Sequence, residues 1–301
     1  MKDILQSIVE ARSTDYAANF GHLEHTIAFE APPAASLRLH FVKTDASGQP
    51  RFRELAYLLA KYITTYCFTA ERRKDLQEQE RNEMYMQARD LFRRTVNSGQ
   101  LGELLIYFLL ETVLKAPQAL KKMPLTTNPK EERKGSDGVH LLWDEPSQVL
   151  ELIFAESKIW KSFSSALTDA FESMESFHDD QAKQHEVNVI TSGFSALEPK
   201  IQDQVAAYVE GENVSKCRHA HACLIGFNWS EYGCLTDTRR ATFIKEFDQR
   251  YLEWAAERKE LFQEKLHKFS HKHIRLEFFI IPFQDVEAFR AWFEQALTGQ
   301  K

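Results

Sequence analysis

With 301 residues, 43% hydrophobic and 27% charged, the chain has the balance of a globular protein with a full core. Its length suits one large domain or two modest ones. A net charge of −6 excludes a surface that is basic throughout, so nucleic-acid binding would need a local basic patch or a basic partner. No apolar run approaches the roughly 18–20 residues of a membrane span. Met1 to Leu5 lacks the apolar core of a signal peptide, and four scattered cysteines (Cys67, Cys217, Cys223, Cys234) make no disulfide framework. A reduced, cytoplasmic setting without membrane contact is expected.

Residues 1–45 mix loop and strand. Ser36 to Val42 alternates apolar and polar residues, the pattern of a half-buried strand, after the punctuation of Pro32-Pro33. Leu55, Leu58, Leu59, Tyr62, Ile63 and Tyr66 recur at helical spacing between Arg51 and Cys67. Residues 71–95 are highly charged with a narrow apolar stripe, which predicts an exposed helix offering a solvated face or a docking surface. Gly102 to Glu111 carries seven uncharged residues between Glu103 and Glu111, which predicts a helix packed on several sides. Glu103, in its first turn, is either a partner of the helix dipole or a functional carboxylate. Thr126 to Gly135 is polar and basic, and is read equally as a solvated loop or as a phosphate contact through Lys130, Arg133 and Lys134.

Two apolar, β-prone runs then flank Asp144-Glu145-Pro146-Ser147, a hairpin signal. Pairing Trp143 with Gln148 sets Asp137 opposite Phe154. Alternation then puts Asp137, Glu156 and Lys158 on one side, with Glu156 diagonal to Asp137 at about 7–8 Å. A one-residue slip would undo the arrangement.

After Lys158 and Lys161, the spacing of Phe163, Leu167, Ala170, Phe171 and Met174 predicts a crossover helix over Ser162 to Phe177. Val187 to Ile190 is strand or link, and Ile201 to Val209 is helical. Ala220 to Trp229 is a buried strand expected to lie parallel to the one before the crossover. Cys217, His219, His221 and Cys223 share one face at period two. Extended, they span about 20 Å, so one strand cannot bring all four to the ligand distances of about 2.0–2.3 Å that zinc requires. Asp237 to Lys268 predicts one long charged helix buried along Phe243, Phe247, Tyr251, Trp254, Leu261, Phe262 and Leu266. A strand from His271, stopped by Pro282, and a helix from Val286 to Leu297 close the chain. There is no Walker-type phosphate loop. The fold class expected is α/β, a mixed central sheet with flanking helices.

Asp137, then Glu156-Ser157-Lys158 closing a buried strand, resembles the signature of the PD-(D/E)xK nuclease superfamily, with Ser136 where its proline stands. Glu-x-Lys also occurs at Glu132, Glu198 and Glu257, but only Glu156 ends an apolar strand after an upstream Asp. Gly102 to Glu111, Lys134 to His140 and Glu156 to Lys158 together resemble the HamA family, the effector of the Hachiman anti-phage system, most firmly over about residues 100–160. The resemblance implies a nuclease-like core in residues 100–301 with a helical elaboration in 1–99. It implies a metal-dependent endonuclease acting on DNA with a HamB-like superfamily 2 helicase. Mg²⁺ or Mn²⁺ would be held by Asp137 and Glu156, with the Ser157 carbonyl and Glu103 as further donors. Lys158 would orient or activate water, and Lys130, Arg133, Lys134 and Lys161 would touch the nucleic acid. The competing readings are a catalytically silent nuclease-like subunit that scaffolds a helicase complex, and a structural interaction protein.

Overall fold

The computed structural model describes residues 1–23, 27–29, 32–93, 99–119, 137–178, 199, 201–203, 217–234 and 240–299. The basic loop with Lys130, Arg133 and Lys134, the segment Val187 to Ile190, and the helix expected beyond residue 203 lie outside them.

The chain forms α1 (Lys2–Ser7), α2 (Ser13–Asn19), β1 (Phe20–His22), β2 (Ile27–Phe29), β3 (Ala35–Val42), α3 (Phe52–Cys67), α4 (Ala70–Arg73), α5 (Glu78–Arg93) and α6 (Gln100–Leu109). A π turn, Leu110–Leu114, extends α6. There follow β4 (Gly138–Asp144), β5 (Val149–Ile159), α7 (Phe163–Phe177), β6 (Cys217–Asn228), α8 (Glu231–Cys234), α9 (Arg240–Glu257), α10 (Lys259–Lys268), β7 (Arg275–Phe283) and α11 (Val286–Thr298). The fold is α/β: a mixed sheet in the order β1-β3-β7-β6-β5-β4, with β2 also on β3, flanked by helices. β3, β7, β6 and β5 run parallel. β6 follows the α7 crossover in the expected direction. β3 adds the N-terminal hundred residues to the same sheet, and α3 packs on α6 and α11. No helix among the described residues is long and apolar enough to cross a membrane.

Four expectations are corrected. The hairpin pairs Trp143 with Leu150 and Gly138 with Ala155, two residues from the expected register. An even slip preserves the faces, because side chains alternate with period two. The helix expected over 71–95 is two helices, α4 and α5, separated by a turn in which Asp75 has φ 57°. The long C-terminal helix breaks at Arg258. Its guanidinium lies over the Trp254 ring and donates to the Trp254 carbonyl at 2.9 Å, so the Arg258 amide donates instead to Ala255 at 3.2 Å. Last, β7 runs through Pro282 to Phe283. β3 pairs with β7 only as far as Ile280, so the missing N–H of Pro282 costs no ladder bond on that side.

The N-terminus is a further correction: residues 1–45 are expected to mix loop and strand, but Lys2–Ser7 and Ser13–Asn19 form the helices α1 and α2. Glu111, buried in the π turn, ties this region down. Its carboxylate accepts the amides of Glu10 and Ala11 at 2.8 and 2.7 Å, and that of Gln118 at 3.2 Å. A line of charges also crosses five adjacent strands. Arg218 donates to Asp144 and Glu151 at 2.5 and 2.7 Å, Arg275 bridges Glu151 and Glu277, and Arg38 reaches Glu277 at 2.8 Å. Glu151 and Glu277 are almost wholly buried, and the arginines carry the network to the surface.

Histidines gather where α7 ends against β6. His178 Nε2 lies 2.9 Å from His221 Nε2, His271 lies tilted against His178 with ring centroids 4.1 Å apart, and the His219 ring centroid stands 6.4 Å from that of His178. Burial, then the charges of His178, His219 and His271, push the His221 pKa well below its usual 6.5. Burial, then His22 and Arg38, lower that of His40 to about 3. Both groups bind fewer protons folded than unfolded below pH 6.5, so stability is full above that value and lost as pH falls. The loss should set in below about pH 6 and continue as the unfolded histidines take up protons. Urea unfolding at pH 7, 6 and 5 checks this, and a flat profile would contradict it.

Candidate active site

The end of β5 and the start of β4 meet at the N-terminus of α6. Continuing the β4–β5 register sets Asp137 directly opposite Glu156, closer than the diagonal placement expected from the sequence. The Asp137 amide donates to the Ala155 carbonyl at 2.8 Å. Its carboxylate accepts the Ser157 amide at 2.7 Å and the Ser157 hydroxyl at 2.6 Å. Both donors of Ser157 therefore serve to aim Asp137. The sequence reading considered only the Ser157 carbonyl, because the residue fills the variable position of Glu-x-Lys.

Glu156 and Lys158, two apart on β5, form an ion pair of 2.7 Å, both largely buried. Glu103 enters from the first turn of α6, where the Tyr66 hydroxyl donates to its carboxylate at 3.0 Å and lies 3.4 Å from the Asp137 carbonyl. Tyr66 belongs to α3, where its helical spacing marks only the apolar side of that helix. Nothing in the sequence ties it to residues 37 and 71 positions away. Of the expected site residues, Asp137, Glu156, Lys158 and Glu103 thus come together. Lys161 is exposed just past β5.

Burial pushes the Asp137 carboxyl well above the usual carboxylate range, and the charges of Glu156 and Glu103 add to this. The Ser157 hydroxyl and Lys158 oppose it. Burial works against the Lys158 ammonium as well. Its pKa nevertheless rises, because Glu156, by charge and hydrogen bond, and then Asp137 and Asp169 outweigh that cost. Lys158 is therefore a cation at neutral pH. Three carboxyl groups and one ammonium make an all-oxygen donor set that fits a hard divalent cation such as Mg²⁺ or Mn²⁺. As the side chains stand, no group of three or more His, Cys, Asp and Glu among the described residues is gathered to hold an ion. Glu156 turns to Lys158 and Asp137 to Ser157.

Gly102 explains how α6 comes so near. A Cβ there would lie 2.6 Å from Ser157 Oγ and 3.0 Å from Ser157 Cβ. Gly102→Ala is expected to displace Ser157, and with it Asp137. Overpacking of about 1–3 kcal/mol should outweigh the roughly 1 kcal/mol that alanine gains in a helix. Thermal melting of this variant should show a lower Tm. A wild-type Tm would mean that Ser157 yields without consequence.

A sequence model of the family described as HamA matches residues 18–297, nearly the whole chain. The chain belongs to the HamA family. Membership makes it a component of the Hachiman anti-phage defence system. The match reaches well beyond the stretch of about residues 100–160 on which the motif resemblance was firmest, and takes in β1, β3 and α3, the elements that carry Tyr66 to the site. Comparison with curated proteins gives no match.

Proposed function

We propose that this HamA-family chain is the nuclease effector of its defence system, hydrolysing DNA phosphodiester bonds with a divalent cation under the control of a superfamily 2 helicase of the HamB type. The observation that carries this reading is Asp137 set opposite Glu156, with Lys158 beside it and Glu103 over it. Asp137, Glu156 and Glu103 would hold Mg²⁺ or Mn²⁺, which would neutralise charge on the scissile phosphate and lower the pKa of a bound water. Ser157 keeps Asp137 aimed, and Tyr66 holds Glu103 at the mouth of α6. Lys158, as a cation, would leave its pairing with Glu156 to meet negative charge developing on the phosphate. The superfamily resemblance points to 5′-phosphate products.

The helicase would supply ATP hydrolysis and the basic DNA track that a chain of net charge −6 lacks. It would restrain the nuclease in the cytoplasm until foreign or aberrant DNA is engaged. The charged helices α5, α9 and α10 are the proposed docking surface. Supercoiled plasmid incubated with the chain, with and without Mg²⁺ and the helicase, tests the reading. Nicking or linearisation that needs the cation supports it. Intact plasmid under every condition overturns it and favours a silent scaffold, a reading to which the Glu156–Lys158 pairing lends some weight. Co-elution with the helicase on size exclusion tests the partnership. Separate elution with full cleavage by this chain alone would leave a free-standing nuclease.

A further inference from the structure

We propose that Trp160 is a stacking platform for an unpaired base beside the candidate nuclease site, so that the strand bound there is single-stranded or locally melted nucleic acid. The proposal rests on the nuclease reading for its biological sense, but its binding test does not. Among the described residues only Met86 and Trp160 are large hydrophobic side chains that are exposed, each at 44%. Met86 lies on α5. Trp160 lies two residues beyond Lys158, at the period that returns to the side of Glu156 and Lys158.

The indole is not carried on a loose loop. The Trp160 amide donates to the Gly226 carbonyl at 3.0 Å, continuing the β5–β6 ladder past Ile159. Arg290 donates to the Ile159 carbonyl at 2.6 Å, holding the oxygen of the same peptide unit. Below it, a Cβ at Gly226 would meet Ile159 and Phe283 at 3.0 Å, so the floor is closely packed. A rigid backbone presenting an exposed aromatic ring is the form of a base-stacking site, because every base offers a π face whatever its identity. Phosphate chemistry adjoins it. Lys161 is exposed, Ser162 caps α7, and the first turn of α7 holds no acidic side chain to offset its positive end. A phosphate at the Asp137–Glu156 site would carry a neighbouring base toward the indole. A base inside a duplex has no face to offer, so the platform selects unpaired strands.

The test is fluorescence anisotropy of the full chain in EDTA at 50 mM salt with labelled oligo(dT) and with a labelled duplex of equal length. Wild type, Trp160→Ala and Trp160→Phe are compared, with circular dichroism confirming that each is folded. Expected is at least about a fivefold loss of oligo(dT) affinity in Trp160→Ala. Recovery to within about threefold in Trp160→Phe and no change in duplex affinity are also expected. Unchanged oligo(dT) binding in Trp160→Ala overturns the proposal, as does wild-type protein that binds no oligo(dT). A Trp160→Ala variant that binds oligo(dT) normally but no longer co-elutes with the helicase overturns it in favour of protein docking. Glu156→Gln is the cleavage control and is assayed on plasmid. If it cleaves plasmid as wild type does, the nuclease assignment falls while the stacking result stands.

Discussion

Asp137→Asn, Glu156→Gln and Lys158→Ala proteins are expected to lose cleavage by about a thousandfold or more while remaining folded. Each residue sits at a strand end and none fills the core, so circular dichroism should be unchanged. Asp137→Asn should go further and raise Tm in cation-free buffer. The folded-state pKa of Asp137 is raised above its unfolded value, so its stabilising contribution is full below the usual carboxylate pKa and is lost as pH rises from there through the raised folded value. Burial and then the charges of Glu156 and Glu103 penalise its ionised form. Asparagine removes the charge and still accepts from Ser157. Added Mg²⁺ or Mn²⁺ should raise the Tm of wild type by mass action, and that of Asp137→Asn little or not at all. Calorimetry on both proteins, with and without the ion, reads this independently of turnover. A wild type indifferent to either ion, or a Glu156→Gln protein with normal cleavage, would remove the site assignment.

Glu151→Ala should be the most destabilising polar substitution at the other end of β5, by about 3 kcal/mol. Glu151 is 1% exposed and accepts from Arg218 Nε at 2.7 Å, from Arg275 Nε at 3.1 Å and from Arg275 Nη2. Its loss leaves two guanidinium groups without their buried anion. Because Arg218 and Arg275 are 42% and 26% exposed, water recovers part of the cost, which keeps the estimate at the low end for a broken buried pair. Denaturant unfolding gives the number. A change under about 0.5 kcal/mol would show that the arginines reach solvent freely and that the network adds little. The surviving folded protein should cleave normally, since Glu151 and Glu156 stand at opposite ends of the strand.

What could be read from the chain was whatever depends on neighbours in sequence. The β4–β5 hairpin, the α7 crossover with its parallel successor β6, and α3 all follow from periodicity and turn chemistry over fewer than about twenty residues. Asp137, Glu156 and Lys158 fell on one side even with the register two residues out, because faces depend only on parity. Tertiary structure alone decided the rest. Tyr66 reaches Glu103 because α3 packs on α6, Ser157 turns both its donors to Asp137 because the Gly102 backbone lets α6 close on β5, and Pro282 stays in β7 because the β3–β7 pairing stops at Ile280. The buried charge line from Asp144 to Arg38 exists only once five strands stand in order. Spacing along a chain fixes which face a side chain takes. Which distant group meets it there is set by the packing of whole elements, whose energy is spread over many contacts and leaves no local mark in the sequence.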